Sequence, residues 1–128
     1  MTEYESVIET AEDEAAKGRF KEAYNTLSRA MLLGGARDRE IRYLRGICAL
    51  NVGRVRMDHF EDQSESPRTL IKAGCWLARA EAYLASAREG ASAEEVDQIE
   101  AHLEATKHQQ ERFRRLAHAS TIDVFEDV

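Results

Sequence analysis

At 128 residues the chain is sized for one domain, able to bury roughly two-thirds of the surface its unfolded form exposes. Hydrophobic residues make up 43% and charged residues 33%, which excludes a disordered polyelectrolyte and indicates a globular core. A net charge of −6 argues against general nucleic-acid binding, and the acidic start "MTEYESVIE" is neither a secretory nor a transit signal.

With a single proline and abundant alanine, the chain reads as all-α. Thr2 and Glu5 form a capping box that opens a first helix, carried by Tyr4, Val7, Ile8, Ala11 and Ala15 and closed by Gly18. A second helix follows almost at once, with Phe20, Ala23, Tyr24, Leu27, Ala30 and Met31 on one stripe, until Gly34–Gly35 stops it. Asp38 caps a third, whose Ile41, Leu44, Ile47, Cys48 and Val52 face inward as far as Gly53. A short helix over 54–60 and a polar loop, "EDQSES", are expected next.

Ser66 and Pro67 suit a helix start, and the stripe Leu70, Ile71, Trp76, Leu77, Ala80, Tyr83, Leu84 and Ala87 continues to about Glu89. Gly90 ends that helix, and Ser92 with Glu95 forms a second capping box. The last helix carries Val96, Ile99, Leu103, Phe113 and Leu116, interrupted by the polar Thr106 and Gln110. Its length beside shorter neighbours suggests a homodimer formed through the last hairpin. Beyond Ala119 the helical period is lost, so residues 1–119 are expected to form the domain and 120–128 a separate acidic and apolar tail. Trp76, Tyr83 and Phe113 are read as core or hairpin seam.

"GRFKEAYNTLSRAM" sets a glycine two residues before an aromatic, then Glu22–Ala23, Leu27 and Ala30. That pattern resembles the turn and second helix of a tetratricopeptide (TPR) repeat. Gly53 follows Gly18 by 35 residues, close to the family period of about 34, and "IRYLRGICALNVG" is similar to the first helix of a second repeat. The resemblance covers residues 4–53 and then decays, because "GRVRMDHF" lacks the Glu–Ala pair. It implies a protein–protein interaction adaptor without catalytic activity, holding a protein partner in a groove lined by the first helix of each repeat. In that register Arg39 and Arg42 fall near the groove, with Arg45 beside them, suited to an acidic peptide.

The tail "STIDVFEDV" is a second candidate recognition element. Ile122, Val124 and Phe125 supply apolar weight, while Asp123, Glu126 and Asp127 supply negative charge able to meet the arginine-lined surface of the same or a neighbouring subunit.

Residue patterns for chemistry are sparse. His102 and His108 are six apart, the wrong spacing for a two-histidine site on a helix, and Glu104, His108 and Glu111 share only a solvated face. No metal or other cofactor is expected. Arg112 and His118 in "RFRRLAH" resemble the arginine–histidine motif of HEPN-type ribonucleases, which would make the histidine a general acid or base on a ribose hydroxyl. Phe113 departs from that motif's polar position, so the ribonuclease stands as an alternative, beside a purely structural oligomerisation module. Cys48 and Cys75 match no zinc or disulfide spacing and are expected as buried free thiols of a soluble cytoplasmic protein, and "GICALNVG" is too short for a membrane span.

Overall fold

A computed structural model describes the backbone of residues 2–33, 38–63 and 66–126, and side chains of 2–33, 38–62 and 66–120. It is all-α, with five helices: α1 (Glu3–Ala16), α2 (Phe20–Leu33), α3 (Asp38–Gln63), α4 (Pro67–Arg88) and α5 (Ala93–Glu126). No strand occurs among the described residues. No helix among them is long and apolar enough to cross a membrane.

The ends of several helices follow directly from local chemistry. Thr2 Oγ1 accepts the Glu5 amide at 3.1 Å, supplying the first cap of α1. Gly18, at φ +78°, lets the chain turn left-handed after α1. The Gly18 amide then reaches the Ala15 carbonyl at 3.0 Å and the Arg19 amide reaches the Glu14 carbonyl at 2.9 Å, a Schellman closure. Gly90 makes the corresponding turn at φ +76°. The Ser92 hydroxyl then accepts the Glu95 amide at 3.3 Å and donates to the Glu95 carboxylate at 3.0 Å, opening α5. Ser66 holds the N-cap position of α4 with Pro67 in the first turn, although its hydroxyl makes no capping bond.

Gly53 does not end a helix. α3 runs unbroken through it to Gln63, so the expected short helix and the start of the polar loop are the second half of α3. The physical reason lies across the interface. A Cβ on Gly53 would come 2.9 Å from Leu77 Cδ2 and 3.2 Å from the Ala73 carbonyl; one on Gly46 would come 2.7 Å from Leu84 Cγ. The two glycines, seven residues apart, form the flat seam on which α4 lies. A helical glycine costs up to about 1 kcal/mol in backbone entropy, offset here by burying Leu77 and Leu84 completely. Gly74 of α4 serves the same end on the other side, where the Phe113 ring occupies the space a Cβ would need.

Cross-helix contacts set the topology. Gly46–Leu84 and Gly53–Leu77 make α3 and α4 antiparallel, and Arg88–Glu100, Glu81–Gln110 and Gly74–Phe113 do the same for α4 and α5. Arg39–Glu95, Tyr43–His102 and Asp58–Arg112 run α3 and α5 parallel, side by side. The main core joins Ile8, Leu27, Ile41, Met57, Trp76 and Leu77 from α1 to α4. A smaller cluster of Leu84, Ala87 and Ile99, flanked by Tyr43, Ile47 and Leu103, closes the end where α3, α4 and α5 meet.

Four expectations from the apolar stripes are corrected. Met31 is 39% exposed, Ile71 is 62% exposed, and Cys75 is exposed rather than buried. Thr106, a polar interruption of the last stripe, is fully buried, its hydroxyl donating back to the His102 carbonyl at 2.8 Å. The helical period does not fail at Ala119, since the α5 backbone continues to Glu126. Trp76 and Phe113 do take core and seam positions.

Candidate functional site

The three candidate arginines point three ways. Successive steps of three residues turn a helix by roughly 60°, so Arg39, Arg42 and Arg45 fan out rather than share one face. Arg42 turns to α4, where Nη1 donates to the Ser86 hydroxyl at 2.6 Å and carbonyl at 3.2 Å. Arg45 turns into the interior and is only 8% exposed, which removes it from any partner-binding surface. Its guanidinium stacks over Tyr24 and Tyr83, and donates to the Tyr83 hydroxyl at 2.5 Å and the Ser28 hydroxyl at 2.6 Å. Arg45 is a structural cation that ties α2, α3 and α4 together.

Arg39 opens on a cleft between α3 and α5. Its Nη2 bridges to Glu95 of α5 at 2.7 Å, while Nη1 is buried with no hydrogen-bond acceptor. A buried donor without a partner is costly, about 1–3 kcal/mol, and marks a place where an acceptor would be stabilised. The cleft beside it measures about 470 Å³ and is lined by Glu40, Tyr43 and Leu44 of α3, Ala87 of α4, and Glu95, Gln98 and Ile99 of α5. The Tyr43 hydroxyl lies 2.9 Å from His102 Nδ1, and the two rings meet edge-on, so the tyrosine wall of the cleft is braced by α5. Burial pushes the Tyr43 phenol above its ordinary range, so it stays protonated at neutral pH.

Leu44 also lines a second, smaller cavity of about 150 Å³, almost wholly apolar, walled by Ala11 and Ala15 of α1, Phe20 and Leu27 of α2, and Ile47 and Cys48 of α3. Leu44 is common to the linings of both cavities. Tyr43, His102 and Gln98 were not legible as a site, since each is an ordinary helical residue and only the parallel pairing of α3 with α5 assembles them.

Arg112 lies on the other half of the α3–α5 contact. Its guanidinium reaches Asp58 at 2.7 Å and Glu61 at 2.7 Å, and the two carboxylates raise its pKa against the opposing effect of burial. A guanidinium so held faces two negative charges. His118 is exposed six residues on. Among the described residues no three histidine, cysteine or acidic side chains converge as a metal site. The candidate tail residues Ile122, Val124, Phe125 and Asp127 lie outside the residues whose side chains are described. No protein-family model, curated protein or solved structure matches the chain.

Proposed function

We propose that this chain is a non-catalytic protein-interaction adaptor of TPR-like design, which holds an acidic segment of a partner protein in the cleft between α3 and α5. The observation that carries the reading is Arg39 on the wall of a cleft of about 470 Å³, with its Nη1 lacking a hydrogen-bond acceptor. That volume falls within the range of about 300–1,000 Å³ typical of ligand pockets. Consecutive antiparallel hairpins, α1–α2 and α3–α4, support the repeat-like reading, as does α5 placed parallel to α3 in the position of a following first helix. A carboxylate of the partner would accept from Arg39, while its apolar side chains pack on Tyr43, Leu44 and Ile99.

Panning random short peptides on the purified chain tests this. Acidic, apolar-flanked sequences are expected, and Arg39→Glu should weaken them by more than about tenfold, the loss of one charge-assisted hydrogen bond and its reversal. Binders indifferent to Arg39→Glu would place the site elsewhere. RNA cleavage by the chain that His118→Ala abolishes, with the helical content retained, would overturn the non-catalytic reading.

A further inference from the structure

Away from the α3–α5 cleft, the turn between α1 and α2 meets the second half of α3 around a cavity of about 270 Å³. Its apolar wall is Phe20, Val52 and Val55; its polar wall holds Lys21, Arg56 and His59 with a single acid, Glu22. The other arginines of α3 are all engaged: Arg39 with Glu95, Arg42 with Ser86, Arg45 with its tyrosines, Arg54 with Asp58 and Asn51. Arg56 makes no hydrogen bond or ion pair among the described residues, and its Nε is buried without an acceptor. The positive end of the α2 dipole opens at the same place, opposed by the negative end of α1 across the turn, and Lys17 and Arg19 flank it. In a chain of net charge −6 this pocket is locally positive, with an apolar floor.

The same sequence carries a complementary segment. In residues 121–126 the backbone is helical, and Ile122 and Phe125 recur at a spacing of three, as do Asp123 and Glu126. Carrying the α4–α5 register along at 1.5 Å per residue brings Pro67 level with roughly residue 120. The last turns of α5 therefore run past the start of α4. An unbroken helix cannot turn back into a pocket on its own α3, so this pocket can meet that segment only between two molecules. We propose that this cavity receives the acidic, apolar end of α5 from a second copy of the chain. The apolar floor takes one large apolar side chain, and Lys21, Arg56 and His59 meet the carboxylates. This site is independent of the Arg39 cleft and stands or falls separately.

A fluorescent peptide of residues 119–128, titrated into the full chain and followed by anisotropy, tests it. Saturable binding is expected, weakened about tenfold by Arg56→Glu and by rising salt, and regained when Glu126 of the peptide is changed to Lys against Arg56→Glu. Lys21→Glu, on a different helix of the same cavity, gives the same loss and decides the matter should Arg56→Glu unfold the chain. Light scattering of the full chain is expected to show association that Phe125→Ala abolishes, with Arg39→Glu leaving it intact. A full chain that stays monomeric, or peptide binding that neither Arg56→Glu nor Lys21→Glu weakens, overturns the proposal.

Discussion

The guanidinium carbon of Arg45 sits 4.0 Å from the centre of the Tyr24 ring and 4.7 Å from that of Tyr83, inside the helix packing, with no carboxylate beside it among the described residues. Its hydrogen bonds go to neutral groups, the hydroxyls of Tyr83 and Ser28 and the sulfur of Met31. Two π faces and two hydroxyl dipoles replace most of the water of this buried cation, although its Nε is buried without an acceptor. Tyr24 is itself held edge-on to Trp76 at 4.9 Å, so the cage extends across α2 and α4. Lysine presents one point charge and cannot cover both rings and both hydroxyls. Arg45→Lys is expected to destabilise by about 1–2 kcal/mol and Arg45→Ala by about 3 kcal/mol, through unpaired hydroxyls and lost packing. Urea unfolding followed by circular dichroism measures both; equal stability for Arg45→Ala would show that the cage contributes nothing.

Two glycine-to-alanine substitutions are expected to fail for different reasons. Gly46→Ala gains helix propensity but drives its methyl to 2.7 Å from Leu84 Cγ, in a fully buried seam. Overpacking of about 1–3 kcal/mol outweighs the propensity gain of about 1 kcal/mol. Gly18→Ala meets no atom within 4 Å, and its penalty of about 1 kcal/mol comes only from the left-handed backbone at φ +78°. Pairing each with Leu84→Ala separates them. The smaller partner should relieve Gly46→Ala and leave the Gly18→Ala penalty unchanged.

The two thiols should behave oppositely. Cys75 is exposed, whereas Cys48 is buried, and that burial pushes its thiol from 9.0 up to about 11. A thiol reagent at neutral pH is expected to titrate one cysteine quickly in the folded chain and two in denaturant. In the unfolded chain Cys48 ionises near its ordinary value, while in the fold it stays protonated. Its contribution to stability is therefore complete below pH 9 and lost as the pH rises from 9 to about 11. The loss amounts to about 3 kcal/mol. The Tyr24 and Tyr43 phenols, also raised by burial, extend the decline to higher pH. Cys48→Ala should flatten the first part of that alkaline decline, and an unchanged profile would reassign it to the tyrosines.

Arg112 fastens the second half of α5 to α3 through Asp58 and Glu61. The pairs are partly exposed, so Arg112→Ala is expected to cost only about 1 kcal/mol globally. Its clearer signature is local. Amide exchange in α5 beyond Phe113 should accelerate severalfold, while the amides of α1 and α2 keep their protection. Uniform exchange changes across the chain would show that the contact is not local to this end.

The helix ends at Thr2, Gly18, Gly90 and Ser92 were legible in the sequence because each answers a demand made within a few residues: an amide without an acceptor, or a left-handed turn that disfavours a Cβ. The apolar stripes were legible for the same reason, since the periodicity of one helix is a local property. Gly53 was not, because the same residue serves as a stop or as a close-approach seam, and only Leu77 across the interface makes it the second. Arg39, Arg42 and Arg45 looked alike in sequence, yet one borders a cleft, one binds Ser86 and one lies within a tyrosine cage. Their difference arises from steps of roughly 60° around α3 set against α5, α4 and α2 in turn. Which group a side chain meets depends on how distant helices dock, and docking is settled by the shapes of many side chains at once, beyond the reach of any local pattern.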